Sequence, residues 1–225
     1  MTPDQFLRPK GNYRNLIVYK KAECLYDITF HFVKTYLSYS DRTNDQMIQA
    51  ARSGKQNIIE GSSASATSRE TEIKLFNVAK SSFEELLADY EDYLRVRGKE
   101  LWDEEKTQKV RQFCRTHNDS ALYREIAPQR DDSTLANLCI TMLHQEITLL
   151  IKLMSRAKRD FLHNGGIREE MSRARRSYRA TPLPPPPPTP PITPTPPTTP
   201  INPTPPTTPT PPTPPNEEKD IPLKN

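Results

Sequence analysis

The sequence predicts an all-α fold: an up-and-down antiparallel four-helix bundle, then a C-terminal helical, basic suffix and a Pro/Thr-rich tail. Three observations carry that expectation. Apolar residues recur at helical spacing through four long segments. No run of four or more residues alternates with β-branched side chains, as a half-buried strand would. The chain-breaking residues are also segregated: 20 of the 24 prolines lie within residues 182–215, and the 225-residue chain has only 6 glycines. Residues 181–225 contain 5 of the 76 hydrophobic residues, so a core has to come from the 180 residues before them. The expected organisation is a disordered N-terminus (1–12), a four-helix bundle (13–164), a basic suffix segment (165–180) and a disordered tail (181–225). This composition excludes two large domains, a collagen-like chain and a disulfide scaffold.

Over residues 13–39, Val18, Ala22, Leu25, Thr29, Phe32 and Tyr36 step by four and three, with Tyr26 and Val33 widening the stripe. One helix of about seven turns is expected there, since neither proline nor glycine interrupts it. Ser40-Asp41-Arg42-Thr43 supplies a turn and N-caps. A second helix follows to about Glu60, with Met47, Ile48, Ala51, Gly54, Ile58 and Ile59 inward. Gly54 in mid-helix marks a close helix approach, and Gly61 fits a C-terminal cap.

Residues 62–67 read as a loop of small residues, and Thr67 with Glu70 has capping-box spacing. Ile73, Phe76, Phe83, Leu86, Leu87, Tyr90 and Leu94 then form a third stripe that ends near Gly98, with an acidic outer face at Glu84, Glu85, Asp89, Glu91 and Asp92. Residues 102–128 are less regular: Asp103 caps a short helix carrying Val110, Phe113 and Cys114, and another turn or two lies at 121–126. The last long helix follows Asp131-Asp132-Ser133 and closes at Gly165-Gly166. Its apolar arc, including Leu135, Met142, Leu143, Ile147, Leu150, Ile151 and Met154, exceeds half the circumference. A helix that is greasy on most sides lies centrally or faces a second subunit.

Residues 13–98 carry a resemblance. Tyr13-Arg14-Asn15-Leu16 with Tyr19-Lys20-Lys21-Ala22, and Gln49-Ala50-Ala51-Arg52-Ser53-Gly54-Lys55-Gln56-Asn57-Ile58-Ile59-Glu60-Gly61, look like signature elements. They resemble the bacterial four-helix-bundle proteins first met in intervening sequences of 23S ribosomal RNA genes. That family includes the accessory variability determinant of diversity-generating retroelements. Phe161-Leu162-His163-Asn164-Gly165-Gly166 and the arginines after it look like the "four helix bundle suffix" of the Bacteroidetes branch. The chain departs from the compact retroelement member in its longer third connection, its suffix and its tail. The resemblance implies a ring-like homo-oligomer, a pentamer in family members. It also implies nucleic-acid binding and, in the retroelement branch, a reverse-transcriptase partner.

Enzyme chemistry finds no pattern. A di-iron bundle needs paired Glu-x-x-His motifs, and none of His31, His117, His144 and His163 has Glu three residues before it. Gly-x-Ser-x-Gly and phosphate-cradling glycine loops are absent. Cys24, Cys114 and Cys139 are odd in number, widely spaced and expected to be reduced. The expectation is a protein that is not an enzyme, holds no cofactor or metal, spans no membrane and is cytoplasmic.

The charge points elsewhere. Residues 152–179 carry nine basic and three acidic side chains, a net of +6, against +4 for the whole chain. Candidate contacts to an RNA or DNA backbone are Arg52, Lys55, Lys152, Arg156, Lys158, Arg159, Arg168, Arg173, Arg175, Arg176 and Arg179. Asn57 and Glu60, with Gly61, read as a polar lock on the exit of the second helix, since phosphates repel a carboxylate. The proline tail is a polyproline II spacer or a docking segment for a polyproline-binding protein. The alternative to nucleic-acid binding is a scaffold whose helical faces and tail recruit protein partners.

Overall fold

A computed structural model describes residues 12–38 and 43–180. Every regular element among them is helical, so the protein is all-α. After a 3-10 turn at Tyr13–Asn15 come α1 (Ile17–Tyr36), α2 (Thr43–Ala64), α3 (Arg69–Val96), α4 (Glu104–Thr116) and α5 (Ser120–Ile126). A second 3-10 turn, Ala127–Gln129, leads to α6 (Asp132–Asn164) and α7 (Ile167–Ala180). The disorder expected for 1–12 and 181–225 falls, apart from Asn12, outside the described residues.

The helix starts follow local chemistry. Ser68, Asp103, Asp119 and Asp131 each turn a side-chain oxygen onto a free backbone N–H of the helix they precede, at 3.2, 2.7, 3.0 and 2.6 Å. The cap of α3 is Ser68, one residue beyond the expected Thr67, and Glu70 instead accepts from Lys74. The first helix is also shorter than expected. Leu16 adopts an extended conformation, and this separates the Tyr13–Asn15 turn from α1.

α1 packs on α2 and α6, and α3 packs on α2 and α6. Positions on α2 that rise from Gly54 to Gly61 meet positions on α3 that fall from Phe83 to Phe76, so those two helices run antiparallel. Likewise Tyr93 bonds Asp132 while Arg69 reaches Asp160, which makes α3 and α6 antiparallel. Ala22, Leu25, Phe32, Met47, Ala51, Ile58, Phe76, Phe83, Leu86, Cys139, Met142 and Leu150 fill the space between them.

Gly61 does not cap α2. The helix continues to Ala64 with Gly61 buried inside it, and a Cβ there would sit 2.7 Å from the Phe76 ring. Gly54 meets Phe83 in the same way, at 2.5 Å. Two glycines seven residues apart thus open α2 to two aromatic rings of α3. With no exit at Gly61, the expected polar lock does not form. Asn57 donates to the Ser53 carbonyl at 2.9 Å, and the exposed Glu60 accepts from Gln56 at 3.0 Å. Gly61→Ala gains about 1 kcal/mol of helix propensity but overpacks by about 1–3 kcal/mol. A lower urea midpoint is therefore expected, and an unchanged or higher one would mean that the ring yields.

The apolar breadth of α6 has a local explanation. Its stretch from Leu135 to Leu143 is buried on every side because the long third connection folds back over it as α4, while α5 covers α1. Asn137 fastens that connection, donating to the Glu100 carbonyl at 3.1 Å and accepting from Trp102 N–H at 2.9 Å. Beyond it Ile151 is 45 % exposed, so only the later part of the arc lacks cover. One window within Asp132–Ala180 is long and apolar enough to cross a membrane by length and composition, and 61 % of it is buried inside the protein.

A lysine and a glutamate without an ion-pair partner among the described residues sit in this core. Lys21 is buried and donates to the Cys114 carbonyl at 2.6 Å, where the last turn of α4 leaves carbonyls without helical partners. Glu146 is fully buried, and neither carboxylate oxygen has a hydrogen-bond partner among the described residues. Burial pushes the Glu146 carboxyl well above its usual range, opposed by Lys21, and pushes the Lys21 amine down. Burial also raises the Cys24 and Cys139 thiols to about 12, and it raises that of Cys114. Thiolates are the reactive form. A thiol reagent should therefore leave the native chain unlabelled and label three sites in urea; rapid labelling of the native chain would contradict this burial.

Candidate nucleic-acid interface

The interface is built from the second half of α6, the break after it, and α7. α6 ends because Gly165 takes a φ of +73°, and its N–H donates to the Phe161 carbonyl at 2.8 Å. The chain restarts at once as α7. The Glu169 carboxylate accepts from Gly166 N–H, and Arg173 reaches back to the Asn164 carbonyl. Acids in the first turn and Arg179 in the last complement the helix dipole of α7. Arg69 joins Glu72 at 2.6 Å and Asp160 at 3.7 Å, tying this end of α6 to the start of α3.

All nine basic side chains from Lys152 to Arg179 are exposed. Lys152, Arg156 and Arg159 recur at four and three residues and so share one face of α6, with Lys158 turned away from it. On α7, Arg168, Arg175 and Arg179 share a face, Arg176 lies beside it, and Arg173 is held at Asn164. None of the nine forms an ion pair among the described residues, whereas Lys74, Lys80, Arg95 and Lys109 each pair within one helical turn. Exposed cations without carboxylate partners are the arrangement that phosphate oxygens can satisfy.

Arg52 and Lys55 do not join this group. They lie on α2, which has no extended packing with α6, and the Lys55 amine stands 4.2 Å over the Tyr26 ring. Asn57, Glu60 and Gly61 lie on the same helix and take no part either. A shallow cleft of about 520 Å³ between the start of α1 and the α4–α5 turn is lined by Arg14, Lys20, Glu23 and Asp119, and its mixed charge does not favour a polyanion. Among the described residues no three His, Cys, Asp or Glu side chains converge as a metal site requires.

Sequence reasoning missed the two contacts that set the start of α7, Glu169 to Gly166 and Arg173 to Asn164. The signal was present, because Glu169 stands three residues after Gly166 as an N-terminal capping carboxylate does. It also missed an apolar row on α7 at Ile167, Met171, Ala174 and Tyr178. No protein-family model, curated protein or solved structure matches the chain.

Proposed function

We propose that this protein is a self-associating four-helix bundle, formed by α1, α2, α3 and α6, that binds RNA or DNA through its basic C-terminal segment without reading sequence. The observation that carries the reading is the row of exposed cations on α6 and α7 without carboxylate partners among the described residues. Guanidinium groups on two helices suit phosphates spaced along a backbone. The resemblance of residues 13–98 to the intervening-sequence and retroelement bundles supports the same class. It adds a ring-like oligomer, with five subunits in family members, and a reverse-transcriptase partner.

In such an assembly each basic segment repeats, so a weak site in one subunit becomes multivalent. The test is a mobility shift of the full chain on oligonucleotides of unrelated sequence. Retardation should be similar for each of them and should weaken in Arg176→Ala/Arg179→Ala while the oligomer mass stays unchanged. Equal retardation by wild type and variant, or none by either, would favour the protein-scaffold reading.

A further inference from the structure

α7 is a 14-residue helix with no buried residue, and no other helix packs on it beyond isolated contacts. Its polar residues nevertheless leave one clean apolar row. Ile167, Met171, Ala174 and Tyr178 recur at four, three and four residues, the spacing of a coiled-coil seam. Met171 is 44 % and Tyr178 66 % exposed. The preceding end of α6 adds Phe161 and Leu162, also exposed. A lone helix of this length is marginal in water, so its apolar face gains by being covered.

The flanking charges say by what. With Ile167 and Ala174 at d and Met171 and Tyr178 at a, the e positions are Arg168 and Arg175 and the g positions are Glu170 and Ser177. Two such helices side by side and parallel place the g residue of one against the following e residue of the other. That sets Glu170 against Arg175 of the partner subunit, twice by symmetry. The antiparallel arrangement sets e against e and therefore arginine against arginine.

We propose that α7 pairs in parallel with α7 of a second copy of this chain, in this register. The pair covers Ile167, Met171, Ala174 and Tyr178 and leaves Arg173, Arg176 and Arg179 outward on both helices, so one contact doubles the basic surface. The inference rests on the self-association proposed above and names a two-fold contact for it, one that joins copies in pairs and is separate from the contact that would close an odd-numbered ring.

The experiment is oxidative cross-linking of the full chain carrying Ala174→Cys, with Ser172→Cys, two residues before it and on the opposite face of α7, as its control. Cys24, Cys114 and Cys139 are fully buried, so the introduced thiol is the one presented to the oxidant. Parallel pairing brings the two position-174 thiols together, because disulfide geometry needs Cα atoms within about 7 Å. Cross-linking at 174 should then run more than about tenfold faster than at 172, through local concentration. Glu170→Arg should abolish that preference and Glu170→Arg/Arg175→Glu should restore it. Equal rates at the two positions, or no cross-link at 174, would overturn the pairing. If sedimentation then still shows a wild-type oligomer, self-association survives through another surface; a monomer would overturn both. Binding of anionic vesicles that depends on Met171 and Tyr178, without cross-linking, would assign this face to a lipid surface and likewise overturn the pair.

Discussion

Replacing Lys21 by methionine is expected to destabilise the fold by about 1–3 kcal/mol, the cost of leaving the buried Cys114 carbonyl without its donor. Lys21 makes a 2.6 Å charged hydrogen bond to the Cys114 carbonyl, and its charge opposes the desolvation of Glu146. Met fills the stem's volume but supplies neither effect. Glu146→Leu should move the other way. It removes two buried oxygens that have no donor among the described residues, each a source of about 1–3 kcal/mol of lost stability. With the carboxylate gone, Lys21→Met should cost less than it does in the wild type, and the shortfall measures the coupling.

The pH dependence has a definite sign. The folded-state pKa of Glu146 is raised, so its contribution is fullest below the unfolded carboxylate pKa and declines as pH rises towards the folded value. The gain from Glu146→Leu should therefore be smaller at pH 4 than at pH 8. Urea denaturation of the two single variants and the double variant checks all of this. A Lys21→Met loss under about 1 kcal/mol would contradict the assigned role.

Neutralising the basic segment should have the second large effect. Changing Lys152, Arg156, Arg159, Arg168, Arg176 and Arg179 to alanine removes six of the nine exposed cations and leaves Lys158, Arg175 and Arg173, the last at its Asn164 contact. If most of them meet phosphates, affinity at low salt should fall by a factor on the order of 10³. Stability should barely change, because exposed side chains without ion pairs contribute within about 0.5 kcal/mol each. Arg52→Ala/Lys55→Ala, on the distant α2, should leave binding nearly intact. Loss of binding from that pair instead would move the interface to α2.

Much of this arrangement was legible in the sequence. The four long stripes, the Asp103 cap and the Gly165 break all follow from local rules, because cap chemistry and helical periodicity act within a turn or two. Gly61 was misread for the same reason. A glycine after a polar helix end looks like a cap, and only the opposite helix, through Phe76, shows that it is a contact point. Lys21 and Glu146 fall on the apolar stripes, three after Val18 and four after Met142. Their burial depends on α4 folding back over α6, a long-range event that periodicity does not carry. The basic run was plain from composition. Its division into separate rows, and the distance of Arg52 and Lys55 from it, required the packing.

The central claim is that the basic segment contacts a nucleic-acid backbone, and counterion release tests it most directly. Binding of the full chain to one oligonucleotide duplex should be followed across salt concentrations, for the wild type and for Arg168→Ala/Arg176→Ala/Arg179→Ala. The logarithm of the affinity should fall linearly with the logarithm of salt, and the variant's slope should be shallower by about 0.9 per phosphate contact removed. A salt-independent affinity, or the same slope in both proteins, would contradict it.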